Sequence, residues 1–117
     1  MKVSLSTYPD SVSAYPAKPI ELIIEVESTL ETPLWLEAEV RVEPGMSFAL
    51  NKNINSGRFR LGICEGRDTL SKSIKLYTGH NVRPYLYKCN VSVFAFDKNG
   101  ISAGREDKHT LIKAKSK

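Results

Sequence analysis

The 117-residue chain has two cysteines and one tryptophan, and aromatic residues make up 9% of it. Cys64 and Cys89 allow one bridge at most, whereas a small scaffold that depends on disulfides carries more. No apolar run approaches the ~18 residues that a membrane-spanning helix needs. The start, Met1 to Ser6, lacks the apolar stretch of about 7–15 residues that marks a secretory signal. Taken as the native start, it implies a cytoplasmic protein. The chain also has no phosphate loop, helical His pair or calcium loop. Cys64, His80, Cys89 and His109 are the soft ligands present, and none of their separations gives the close pairs of a structural zinc site. No metal or cofactor is expected. A Cys64–His80 nucleophile would have nothing to orient the imidazole and no oxyanion site. The sequence therefore reads as a non-enzyme. Asn90-Val91-Ser92 matches a glycosylation sequon but falls in mid-strand.

Residues 1–117 fit one domain, because length divided by about 150 leaves no room for a second core. Such a domain buries roughly two-thirds of its unfolded surface and folds without staples. Apolar content of 41% and charged content of 26% are those of a globular chain. The net charge of +4 is unevenly spread. Residues 1–43 hold three basic side chains against eight acidic ones, and residues 44–117 hold fourteen against five. Such a split implies either a basic face for an anionic partner or two halves that neutralise each other on folding.

The dominant pattern has period two. In Ile20 to Glu27, Ile20, Leu22, Ile24 and Val26 share one face and Glu21, Glu25 and Glu27 the other. Leu34 to Val42 repeats this, with Leu36, Ala38, Val40 and Val42 inward. Strict alternation marks strands with one wet face. Further strands are expected over Arg58 to Cys64, Leu70 to Tyr77 and Tyr85 to Phe96, and a last one around Arg105 to Ala114. In the first of these, Phe59, Leu61 and Ile63 share a side. Phe48 and Leu50 suggest a short edge strand, and Asn51 to Gly57 and Gly79 to Pro84 read as loops. Pro33, Pro44-Gly45 and Gly66 punctuate the chain, and Asp97-Lys98-Asn99-Gly100 is a hairpin turn in which Asn99 or Gly100 takes positive φ. Short strands with turns between them and no helical window predict an all-β antiparallel sandwich of about seven strands. A closed barrel is the alternative.

Several of these residues resemble immunoglobulin-like domains. Tyr87-Lys88-Cys89 resembles the Tyr-x-Cys of the tyrosine corner, Trp35 falls where strand C would start, and Tyr85 to Gly100 is similar to the F–G hairpin of fibronectin-like and cell-adhesion-related bacterial or archaeal modules. The resemblance implies an immunoglobulin-like fold, often used for adhesion, assembly or as an enzyme accessory domain. The Ile20–Glu27 strand has no cysteine, so the inter-sheet disulfide is absent, and Trp35 has the parity of Glu37 and Glu39.

Leu86, Phe94 and Phe96 place apolar groups on the polar side of the longest strand. A contiguous apolar patch there marks a partner surface, for self-association or another protein, unless the Met46–Asn55 loop covers it. The alternative is a basic β-domain that binds nucleic acid or another polyanion through Arg58, Arg60, Arg67, Lys72 and Lys75. Set against this, Lys75 is expected to face Glu25 or Glu27 across neighbouring strands. Cys89 is expected in the core and Cys64, opposite in parity to Phe59 and Leu61, outside it. Two free thiols follow from that placement.

Overall fold

The computed structural model describes residues 1–8, 11–13, 19–49, 52, 54–78 and 85–115, with the side chains of 11–13, 78, 85, 114 and 115 left aside. Leu50, Asn51, Asn53 and the loop from Gly79 through His80 to Pro84 lie outside the described residues. Two sheets face each other. One has the order β1 (Lys2–Tyr8), β3 (Ile20–Glu27), β7 (Thr69–Thr78), β5 (Met46–Ser47). The other has the order β2 (Ser11–Ser13), β9 (Ser102–Lys115), β8 (Tyr85–Phe96), β4 (Leu34–Val42), β6 (Ser56–Cys64). All pairings are antiparallel except β2 with β9, which is parallel. The chain is thus an all-β sandwich, with nine strands among the described residues rather than about seven. The additional ones are the sheet edge β1 and the short segment β2, and β5 lies just before the Phe48 expected on an edge strand.

The alternating pattern fills the space between the sheets. Ile20, Leu22, Ile24 and Val26 from β3 meet Leu36, Ala38 and Val40 from β4 and Cys89, Val91, Val93 and Ala95 from β8 in one buried cluster. Burial of each large aliphatic side chain contributes about 1.5–3 kcal/mol before conformational entropy is charged against it.

Two local devices differ from the simple alternation. Gly62 has φ of 125° and sits where the β4–β6 register slips between Leu36 and Glu37. Leu36 pairs with Gly62 and Glu37 with Arg60, so Leu61 is an extra residue and the end of β6 turns over. Leu61 stays in the core, but Ile63 is 51% exposed and Cys64 only 2%, the reverse of the expected parity. Both cysteines are therefore buried, and both are free. The second device is the β4–β6 connection, where the buried Ser47 Oγ accepts from the amides of Ala49 and Ile54 at 3.2 and 3.0 Å. Phe48 packs on Phe59 with ring centroids 5.3 Å apart. This segment hydrogen-bonds to β7 through β5.

Candidate functional site

The outer face of the five-stranded sheet carries the unusual chemistry. In β8 the odd positions from Tyr87 to Ala95 are buried, and Leu86, Phe94 and Phe96 lie on the other side. Strand register then decides their neighbours. Phe96 lies opposite Trp35 on β4, and Trp35 lies opposite Ile63 on β6. Trp35 is 39% exposed, a surface tryptophan on the side that its parity with Glu37 and Glu39 gives it. One row along, Phe94 lies opposite Glu37 and, on its other flank, Arg105 of β9.

Arginines from both sides close on Phe94. The Arg58 guanidinium carbon is 4.8 Å from the ring centroid and that of Arg105 is 5.2 Å. Arg60 stands 5.7 Å from the Trp35 ring. Each cation over an aromatic ring contributes about 0.5–1 kcal/mol at an exposed site. Arg58 Nε also donates to Glu37 Oε1 at 2.8 Å and Arg105 Nε to Asp107 Oδ1 at 3.1 Å. The Ser92 hydroxyl and Arg105 hold the Asp107 carboxyl below the usual carboxylate range. Phe94 is thus half-covered by arginines from β6 and β9.

The three apolar residues do not form one patch. Leu86 lies eight residues before Phe94 on β8, about 27 Å away at about 3.4 Å per residue. Its exposed neighbour is Leu111, diagonal to it across β8 and β9. Phe94 and Phe96 are joined instead by Trp35 and Ile63. Parity alone placed Trp35 on the wet face, but Ile63 is turned outward by Gly62, which no alternation pattern signals.

The five basic residues are also dispersed. Arg58 and Arg60 share the aromatic face, and Arg67 is in the β6–β7 turn, 3.5 Å from Glu31. Lys72 and Lys75 belong to the other sheet. Lys75 lies opposite Glu21, not Glu25 or Glu27, because the β3–β7 register pairs those with Ser71 and Thr69. Lys72 lies opposite Ile24 and so has inward parity, yet it is exposed at the sheet edge.

The thiols are structural in placement. Burial pushes the Cys89 thiol up to about 12, and the Cys64 thiol donates to the Asp68 carbonyl at 3.1 Å. No group of three or more metal-ligating side chains occurs among the described residues. No helix among them is long and apolar enough to cross a membrane.

No protein-family model matches this chain. No curated protein matches it either. Among solved structures, it is similar to the Pseudomonas fluorescens alkylpurine DNA glycosylase AlkC bound to DNA containing an abasic site analog, at 15% identity and a TM-score of 0.48. That likeness covers 97% of this chain and 30% of the glycosylase, so the chain spans under a third of that protein's length. It is also similar to AggA, the major subunit of aggregative adherence fimbriae type I from Escherichia coli, at 15% identity and a TM-score of 0.40, covering 99% of this chain and 95% of that one. Likenesses this distant carry no argument about function.

Proposed function

We propose that the chain is a single immunoglobulin-like domain of the cytoplasm that acts as a non-catalytic protein-docking module, using the outer face of its five-stranded sheet. The immunoglobulin-like reading is supported by the partial strand orders β1-β3-β7 and β9-β8-β4, which correspond to A-B-E and G-F-C, with β6 beside β4 where variable-type domains add a strand. The observation that carries the docking reading is the Trp35, Phe94 and Phe96 cluster with Arg58, Arg60 and Arg105 stacked against it. Tryptophan, aromatic and arginine side chains supply most hot spots of protein interfaces. Here the stacking already orders the arginines, which lowers the entropy lost on docking. A non-catalytic role is supported by the two thiols, which sit in the core, where the protonated Cys89 is no nucleophile.

The polyanion reading keeps Arg58 and Arg60 and loses the support of Lys72 and Lys75, which lie on the other sheet. Arg58 and Arg105 are moreover engaged by Glu37 and Asp107. Sedimentation over a wide concentration range tests the docking reading on the wild type and a Phe94→Ser/Phe96→Ser variant. Association or a co-purifying protein that the double variant loses supports it; a monomeric wild type with no partner counts against it. A titration with DNA and RNA oligonucleotides at low salt separates the alternative, because phosphate contacts weaken steeply as salt rises.

A further inference from the structure

At the hairpin end of the aromatic face lies a cleft of about 380 Å³, lined by Trp35, Glu37, Phe96, Asp97, Lys98 and Gly100. We infer that this cleft is a binding site for an uncharged sugar ring. The inference goes beyond the docking reading and stands without it. Trp35 and Phe96 are direct cross-strand neighbours, so an indole and a phenyl ring form an adjoining apolar surface. A sugar ring presents a flat C–H face to such a surface and hydroxyls around its rim.

The rim chemistry is already in place. Asp97 Oδ1 accepts from the turn amides of Asn99 and Ile101 at 2.8 and 3.0 Å, which fixes the carboxylate at the mouth of the hairpin. Glu37 is held by Arg58 through Oε1. A carboxylate has about four lone-pair positions, so both groups keep capacity to accept from hydroxyls, and Lys98 brings donors. The rim carries charges of both signs, Glu37 and Asp97 against Lys98, Arg58 and the Arg60 that stands 5.7 Å from the Trp35 ring, so the ligand class follows from the aromatic surface and the carboxylate acceptors. A purely apolar ring would use the aromatic surface but would desolvate the remaining hydrogen-bonding capacity of Glu37, Asp97 and Lys98 without replacing it. A neutral polyhydroxyl ring satisfies both. The volume is at the small end of small-molecule sites, about 300–1,000 Å³, which suits one or two rings.

Trp35 is the sole tryptophan, so intrinsic fluorescence reads this cleft. The experiment titrates wild type with millimolar glucose, mannose, galactose and N-acetylglucosamine and their di- and trisaccharides. The expected result is a saturable blue shift with at least one of them, unchanged between low and high salt. Glu37→Gln and Lys98→Ala should each weaken that response several-fold while the unliganded spectrum stays native. Amide shifts confined to Trp35, Phe96 and the Asp97–Gly100 turn should accompany it in NMR. No saturable response to any sugar overturns the inference. So does a salt-sensitive response to tetramethylammonium or to an oligothymidylate in its place, which would assign a charged ligand. Either failure leaves the sedimentation test of the docking reading untouched.

Discussion

Replacing Gly62 by alanine tests the device that turns the end of β6 over. At Gly62 φ is 125°, well away from the left-handed well near about 57° that L-residues tolerate. The added methyl itself has room, because the nearest atom is Leu70 Cδ2 at 3.4 Å. The cost is therefore torsional, about 1–3 kcal/mol for a residue forced into a sparsely populated region. Two further glycines separate the contributions. Gly100 has φ of 77° and nothing within 4 Å, so Gly100→Ala measures the milder left-handed case, about 1 kcal/mol. Gly104 lacks a positive φ and would meet only Met1 Cε at 4.0 Å, so Gly104→Ala should stay within about 0.5 kcal/mol of wild type. Urea denaturation gives the three differences, and thermal melts should follow at roughly 3–6 °C per kcal/mol for a chain of this size. A second readout follows from the geometry. Strain at position 62 is relieved if β6 regains regular pairing, which would rotate Cys64 outward, so a thiol reagent should modify Gly62→Ala faster than wild type. If Gly62→Ala is as stable as Gly104→Ala and its thiols stay protected, the turnover does not depend on the glycine conformation.

Two other perturbations read separate parts of the fold. The folded state raises the Cys89 thiol from 9.0 to about 12 and so prefers it protonated; the stability this contributes is whole below about pH 9 and is lost as pH rises towards 12. Urea midpoints at pH 8 and pH 10 should therefore fall more for wild type than for Cys89→Ala, and equal falls would contradict it. Lys72, a charge of inward parity on the partly unpaired edge of β7, opposes edge-to-edge pairing, so Lys72→Val should increase light scattering on concentration while keeping native circular dichroism; an unchanged monomer would refute that role.

Much of the fold is legible in local pattern. The bounds of β3, β4 and β8 follow from alternation alone, since a strand with one wet face must repeat every two residues. β1 carries only Val3 as a buried side chain, and its serines and threonine give an edge strand too polar to stand out. The candidate site is half legible. Phe94 and Phe96 declare themselves as apolar residues of the wrong parity, and Trp35 has the parity of two glutamates.

What covers or joins those residues is a matter of register, which one strand does not contain. Arg58 and Arg105 reach Phe94 from strands on either side of it, far apart in sequence. The single extra residue at the Gly62 bulge exchanged Ile63 for Cys64 and so added an apolar neighbour to Trp35. The same dependence moved Lys75 from Glu25 or Glu27 to Glu21, whereas the separation of Leu86 from Phe94 is set by their eight-residue spacing along one strand. The alternation of side chains fixes which residues are buried, because each step turns the next one over. Pairing between distant strands fixes which exposed residues meet, because only the hydrogen-bonded ladder sets one strand's position along another.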